Sequence, residues 1–154
     1  MSDIADIPDT VAGPRKVDQL LAHYGESHRN PRNELIHFIA IPLIMLSLVG
    51  MLFALHPYVA YAFVAASMVY YARLSAVFFA SMALWSVVFL GVIFAMGQLV
   101  LPICIAIFVG AWILQFIGHK IEGKKPSFFE DIQYLWVGPL FVLSKLFIRL
   151  GIRW

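Results

Sequence analysis

The chain has 154 residues, of which 62% are hydrophobic and only 13% are charged, and its formal net charge is +2. A soluble domain of this length carries many more charged residues on its surface. The composition therefore excludes an ordinary soluble fold and favours one domain embedded in lipid. The single cysteine, Cys104, excludes a disulfide framework and a thiolate metal site within one chain.

The first thirty residues are polar and precede the apolar part of the chain. Residues 1–14 are acidic and contain two prolines, so we predict a flexible tail. Residues 15–26 are predicted to form a short amphipathic helix, because apolar side chains recur there at helical spacing, at Val17, Leu20, Leu21 and Tyr24. This helix is expected to end near the turn-forming pair Asn30-Pro31.

Four apolar segments separated by short turns follow. Arg73 is the only formally charged residue between Leu35 and His119. Backbone polar groups in lipid need partners within their own segment, so these segments are predicted to be helices. The predicted spans are residues 35–55, 58–72, 74–95 and 99–118. The predicted fold class is therefore all-α: an integral membrane bundle of four transmembrane helices in two antiparallel hairpins, within a single membrane domain of residues 15–154.

The C-terminal segment, residues 134–151, is apolar but contains Pro139 and a basic stripe. Lys145, Arg149 and Arg153 recur every four residues and so lie on one helix face. This pattern favours an amphipathic helix at the membrane interface over a fifth span, and a re-entrant segment is the alternative.

Lysine and arginine residues predict the orientation of the spans. Basic residues precede the first span and follow the fourth, at Arg15, Lys16, Arg29, Arg32, Lys120, Lys124 and Lys125. An even number of spans places both groups on one side, and the positive-inside rule makes that side, with both termini, cytoplasmic. The membrane is expected to be the plasma (inner) membrane of a bacterium or the endoplasmic reticulum of a eukaryote.

The histidines are the side chains with the most specific chemistry. In this topology His23, His28, His37 and His119 lie at the cytoplasmic edge, while His56 lies in a turn on the opposite side. His37 is just inside the first span, where polar groups tend to mark function. Taken singly, a histidine near a membrane interface is more often a hydrogen-bonded residue than a metal ligand. The shared location of these four makes a transition-metal site as well supported as that alternative.

Two of these histidines have polar neighbours at helical spacing. Asn33 precedes His37 by four residues, Gln115 precedes His119 by four, and Glu122 continues the second face. Such neighbours orient the second ring nitrogen of a metal-bound imidazole. Imidazole suits zinc, iron, copper and nickel. Because the chain has only five histidines, the histidine-rich dimetal centre of membrane desaturases is excluded, and the predicted site is mononuclear.

Three blocks of the sequence resemble a known family. They are His23-Tyr-Gly-Glu-Ser-His28 with Asn33-Glu-Leu-Ile-His37 and Pro42, Gln115-Phe-Ile-Gly-His119 with Glu122-Gly-Lys-Lys-Pro126, and the stretch from Gln133 to Pro139. They are similar to blocks of the 2-hydroxy fatty acid dioxygenases, small multi-pass membrane proteins related to the fungal enzyme of phytosphingosine breakdown. The resemblance covers about residues 17–146.

The resemblance implies an α-oxidation that depends on Fe(II), without 2-oxoglutarate and without haem. A long-chain 2-hydroxy fatty acid would be cleaved by dioxygen to the fatty acid one carbon shorter. The implied iron ligands are His23, His28, His37 and His119. Four further residues are implied either to hold the ligands in place or to orient the substrate: Asn33, Gln115, Glu122 and Gln133. The expected partners are the 2-hydroxy fatty acid, dioxygen and membrane lipids, with no nucleic acid.

Two other classes of function fit the residues taken alone. One is a non-enzymatic membrane protein that binds a metal or a lipid, and the other is a structural bundle whose histidines only hydrogen-bond helix ends. A transporter fits less well, because no acidic or basic residue is predicted near the middle of the membrane. Metal analysis distinguishes the structural bundle from the others, and oxygen consumption with a 2-hydroxy acid distinguishes an enzyme from a carrier.

Overall fold

The computed structural model describes residues 13–26, 28–123 and 134–154. Within these ranges every regular element is a helix, which confirms the all-α prediction. The helices are α1 Lys16–Gly25, α2 Pro31–Leu55, α3 Pro57–Leu74, α4 Ala76–Met96, α5 Val100–Glu122 and α6 Val137–Leu150, with a short 3-10 turn, Gly97–Leu99, between α4 and α5. Gln133 and most of the predicted tail, residues 1–12, lie outside the described residues.

Local sequence determines where α2 and α3 begin. The side chain of Asn30 accepts a hydrogen bond of 2.9 Å from the main chain two residues on, and Pro31 fills the first helical position, which needs no N–H donor. His56 caps α3 in the same way, because its Nδ1 accepts a hydrogen bond of 3.3 Å from the Tyr58 N–H and Pro57 follows it. His56 therefore has a structural role at a helix start.

Among the described helices, α2 and α5 make the most extensive contact, and they run antiparallel. Near the start of α2, Asn33 and His37 lie against Gly118, which is near the end of α5. Near the end of α2, Gly50 lies against Cys104, which is near the start of α5. A Cβ atom at either glycine would overlap the facing side chain, so the two glycines permit this close approach.

Helices α3 and α4 complete an alternating arrangement. One buried cluster joins the end of α2, the start of α3, the end of α4 and the start of α5: Val49, Ala60, Ile93, Val100 and Cys104. Successive helices therefore run in opposite directions. The reversal between α4 and α5 requires Gly97, whose φ of 55° is strained for other residues.

Helices α1 and α6 cover the other end of these four helices. A second buried cluster there joins residues of α1, α3, α4 and α6: Val17, Tyr71, Phe78, Met82, Leu140, Leu143 and Phe147. Residues 137–144 are all buried, so the first half of α6 is enclosed by protein. Lys145 then pairs with Glu34 of α2 at 3.1 Å. The predicted basic stripe thus begins with a residue that ties α6 to α2.

Two helical stretches in the described part of the chain are long and apolar enough to cross a membrane. They are Pro31–Leu55 and the continuous stretch Ala76–Glu122, which contains both α4 and α5. Their outward faces carry large exposed apolar side chains, among them Leu84, Val87, Val109 and Ile113. Such faces are typical of contact with lipid or with another protein. These features support membrane association, while the number of spans stays a prediction.

Candidate functional site

Three of the predicted histidines meet at the end of the molecule that holds α1 and α6. His28 comes from the segment between α1 and α2, His37 from α2 and His119 from α5, and their exposed fractions are 5%, 0% and 7%. The Nε2 atoms of His28 and His37 are 3.0 Å apart. The ring centre of His119 lies 5.4 Å from that of His37 and 6.0 Å from that of His28. We call these three residues the histidine cluster.

Main-chain carbonyls determine which nitrogen of His28 and His37 carries a proton. The Nδ1 of His28 lies 2.8 Å from the Tyr24 carbonyl oxygen, and the Nδ1 of His37 lies 2.9 Å from that of Asn33. A carbonyl oxygen can only accept, so each Nδ1 is the protonated donor. In the neutral rings both Nε2 atoms then present lone pairs to each other at 3.0 Å. This contact is favourable only when a cation, either a proton or a metal, lies between them.

The spacing of the two Nε2 atoms is consistent with metal ligation. Two nitrogen ligands at right angles, each bonded at about 2.1 Å, are separated by about 3.0 Å. The anchoring of each Nδ1 by a carbonyl is the usual arrangement around a metal-bound imidazole. Among the described residues, however, no group of three or more His, Cys, Asp or Glu side chains already has metal-binding geometry. The metal centre therefore stays a prediction.

Aromatic side chains surround the histidine cluster on the side of α1 and α6. The ring of Tyr24 stacks on His28 at 4.2 Å, with 10° between the planes. Phe141 of α6 packs against both rings, at 5.1 Å from Tyr24 and 5.6 Å from His28. These contacts shield His28 from solvent and hold its ring in one orientation.

Glu122, the last residue of α5, connects α5 to the start of α2 through hydrogen bonds. Its carboxylate accepts hydrogen bonds from the main-chain N–H groups of Arg29 and Asn30, at 2.9 and 3.0 Å, and from Asn33 Nδ2 at 3.0 Å. Hydrogen bonds to a carboxylate are stronger than those between neutral groups. Glu122 therefore holds the segment that carries His28 against the helix that carries His119.

His23 is not part of the histidine cluster. Its side chain is 65% exposed, and its Nδ1 lies 3.7 Å from Glu26 Oε2. The ring lies 5.9 Å from that of Tyr134. Tyr24 faces the interior, and a neighbouring position on a helix points about 100° away from it. Helix α1 therefore directs the ring of His23 outward.

Two of the predicted polar neighbours, Asn33 and Gln115, are buried, and one oxygen of each makes no hydrogen bond to the described part of the chain. Asn33 is fully buried, and Gln115 is 4% exposed. Asn33 Oδ1 and Gln115 Oε1 make no hydrogen bond within the described residues. A buried acceptor without a partner costs about 1–3 kcal/mol. These two oxygens are therefore positions where a bound polar group would be favourable.

A small cavity begins one helical turn from the histidine cluster. Its volume is about 20 Å³, and its walls include Tyr24, Ile41, Met45, Trp112 and Gln115. Ile41 follows His37 by four residues and Gln115 precedes His119 by four residues. The cavity therefore lies one helical turn further into the bundle than His37 and His119.

Sequence reasoning missed two residues that shape the site. Gly118 permits the approach of α5 to Asn33 and His37, and its signal was a small residue directly before His119. Tyr24 was assigned only to the apolar face of α1, although its ring and its carbonyl both hold His28.

The fold and the site together define a small all-helical protein with buried histidines at the shared end of antiparallel apolar helices. The chain belongs to the Mpo1-like family: the family model described as 2-hydroxy-palmitic acid dioxygenase Mpo1-like matches residues 15–150. It is similar to the 2-hydroxy-palmitic acid dioxygenase MPO1 of Saccharomyces cerevisiae, with 28% identity over 142 residues, covering 85% of this chain and 79% of the yeast protein. These findings confirm the family resemblance of the sequence blocks. No solved structure matches the chain significantly.

Proposed function

We propose that the chain is an Fe(II)-dependent dioxygenase that converts a long-chain 2-hydroxy fatty acid into the fatty acid one carbon shorter. The name of the yeast relative, a 2-hydroxy-palmitic acid dioxygenase, supports the substrate class. The single observation that carries the proposal is the pair of facing Nε2 atoms of His28 and His37 in a buried site. That arrangement needs a cation, and a single iron is the cation that the family resemblance implies.

The proposed ligands are the histidine cluster, together with His23. The donor set fits iron, because neutral imidazoles are good ligands for it and the Nδ1 atoms of His28 and His37 are anchored by carbonyls. His23 is included on the resemblance alone, since its ring is exposed at the end of α1. Iron, when bound, supplies the electrons that dioxygen activation requires and a positive charge for the substrate carboxylate.

The side chains around the cluster would orient the substrate and exclude water. In this proposal the hydroxyl group of the 2-hydroxy acid donates its hydrogen bond to Asn33 Oδ1 or to Gln115 Oε1, because neither oxygen makes a hydrogen bond within the described residues. Tyr24 and Phe141 keep bulk water from His28. Glu122 acts as a positioning residue through the main chain next to His28. Gln133 is proposed as a further orienting residue on the resemblance alone.

The proposed setting is a four-span membrane protein with cytoplasmic termini. The alternating directions of α2 to α5 and the exposed apolar faces of α4 and α5 support this topology. It would place the histidine cluster at the cytoplasmic edge, the depth at which the carboxylate of a fatty acid dissolved in the membrane lies before the acid enters the protein.

The test is to purify the protein in detergent, measure bound iron, and follow oxygen consumption with 2-hydroxypalmitate. The proposal predicts about one iron per chain and oxygen uptake that depends on both the iron and the 2-hydroxy acid. Palmitate, which lacks the hydroxyl group, is the matched control and should give no uptake. Bound iron without oxygen uptake would favour the alternative of a non-enzymatic metal-binding membrane protein.

A further inference from the structure

A second cavity lies deeper in the bundle, between α2, α3 and α4. Its volume is also about 20 Å³, and its walls include Met45, Phe63, Val64, Met68 and Met82. Met45 is a wall residue of both this cavity and the one beside the histidine cluster. The Met45 side chain, which is 4% exposed, therefore separates the two cavities.

The histidine cluster, the first cavity and the second cavity follow one another along α2. Ile41, beside the first cavity, follows His37 by one turn, and Met45 follows Ile41 by one more turn. Val49, on the wall of the second cavity, is a further turn along. At 1.5 Å per residue, Met45 lies about 12 Å beyond His37 and Val49 about 18 Å beyond it. The cavities thus form one line that leads away from the histidine cluster.

The walls of the second cavity suit an alkyl chain better than a polar group. The hydroxyl of Ser67 donates to the Phe63 carbonyl oxygen at 2.8 Å, and that of Ser86 donates to the Met82 carbonyl oxygen at 2.8 Å. The hydroxyl of Tyr71 donates to a main-chain carbonyl at 3.2 Å. The hydroxyl protons on this wall are therefore already used, and the rest of the lining is apolar.

Three methionines make the path adaptable. Met45, Met68 and Met82 all border the second cavity. Each cavity is small, so an alkyl chain can enter only if these side chains move. Methionine is unbranched and has three rotatable bonds, and it changes its conformation at low cost.

We propose that the two cavities form the path for the alkyl chain of the substrate, and that Met45 determines the preferred chain length. The proposal rests on the proposed function for the 2-hydroxy acid head group. A short chain ends in the first cavity. A long chain displaces the Met45 side chain and continues into the second cavity.

The test compares binding of 2-hydroxyoctanoate and 2-hydroxypalmitate to purified wild-type protein and two variants. Met45→Phe should narrow the path and weaken palmitoyl-chain binding by about tenfold relative to the short acid. Met45→Ala should shift the preference toward the long acid by a similar factor. The matched control is Met51→Ala, because Met51 lies on the same helix and borders neither cavity. An unchanged ratio of long to short binding in both Met45 variants would overturn the proposal.

A second readout separates this inference from the proposed function. Octanoate and palmitate lack the hydroxyl group, and binding of their brominated forms is measured by quenching of the tryptophan fluorescence, to which Trp112 beside the first cavity and Trp136 beside Ser67 of the second cavity contribute. Suppose that wild-type protein consumes no oxygen with any 2-hydroxy acid, yet Met45→Ala changes the ratio of palmitate to octanoate binding. The proposed function is then wrong, while the proposed alkyl-chain path is supported. If oxygen uptake is normal and Met45→Ala changes neither the ratio of long to short 2-hydroxy acid binding nor that of palmitate to octanoate binding, the proposed alkyl-chain path is wrong and the proposed function is retained.

Absence of any fatty acid binding to wild-type protein also overturns the proposed alkyl-chain path. Because Met45→Ala removes atoms and adds none, it keeps the test decisive if Met45→Phe does not fold.

Discussion

The Nε2 atoms of His28 and His37 lie 3.0 Å apart while the Nδ1 atom of each ring is held by a main-chain carbonyl. The carbonyls assign a proton to each Nδ1, so in two neutral rings the Nε2 lone pairs would face each other in a buried site. Within a buried site the repulsion between them is weakly screened. The pair therefore favours a cation between the rings, and this preference links the fold to the proposed iron chemistry.

Removal of a histidine from the cluster should abolish iron binding. We expect His37→Ala or His119→Ala to lose bound iron and oxygen uptake together, because each ring is buried at the histidine cluster and supplies one of its nitrogen ligands in the proposed site. Iron content and oxygen consumption are measured on the same preparation. The control is His56→Asn, which keeps a side chain able to cap α3 and lies at the other end of the bundle. Full activity of His37→Ala would refute the site assignment.

His23 provides a test of the fourth proposed ligand. Its side chain is exposed, so His23→Ala should leave the unfolding temperature of the iron-free protein unchanged. If His23 ligates iron in the loaded protein, the same variant should retain less iron during dialysis against a chelator. The matched comparison is Glu26→Ala, which removes the neighbouring exposed carboxylate. Equal iron retention by His23→Ala and wild-type protein would restrict the ligands to the histidine cluster.

Gly118 should be intolerant of a side chain. A Cβ atom there would overlap Asn33 Oδ1 and lie 3.3 Å from His37 Cε1. We expect Gly118→Ala to destabilise the protein by about 1–3 kcal/mol and to weaken iron binding, because α5 must move away from α2. Thermal unfolding in detergent and iron titration measure the two effects. Gly110→Ala on the same helix is the control, since no atom lies within 4 Å of its added Cβ. Equal unfolding temperatures for the two variants would contradict the tight contact.

Glu122 should matter through the main chain that it holds. In Glu122→Ala the N–H groups of Arg29 and Asn30 lose their carboxylate acceptor, with an expected loss of about 1–3 kcal/mol in the free energy of unfolding. Iron binding should weaken as well, because the segment bearing His28 is released from α5. Glu122→Gln keeps one acceptor oxygen and should show a smaller loss of both properties. Glu26→Gln is the control, as that side chain is exposed. If Glu122→Ala binds iron as wild type does, Glu122 does not position His28.

Much of the fold follows from patterns that can be read along the chain. The apolar runs and the pairs Asn30-Pro31 and His56-Pro57 predict helices and their starts, because hydrophobic length and capping are local properties. The meeting of His37 and His119 also follows, since an even number of antiparallel helices brings both to one end. These features depend on spacing alone.

Other parts of the site depend on distances between segments that are far apart in the sequence. The hydrogen bonds from Arg29 and Asn30 to Glu122 cross more than ninety residues, so no local pattern reveals them. The outward direction of the His23 ring depends on how α1 packs against α6, through Val17 and its neighbours. The shared position of Met45 between two cavities likewise arises only from the packing of three helices.

The proposed reaction is tested most directly by the mass of the product that the iron-loaded protein forms from 2-hydroxypalmitate under oxygen. Wild-type protein is expected to form pentadecanoic acid, one carbon shorter than the substrate chain, and His37→Ala is expected to form none. Wild-type protein that holds iron and binds the 2-hydroxy acid but forms no pentadecanoic acid would contradict the proposed reaction.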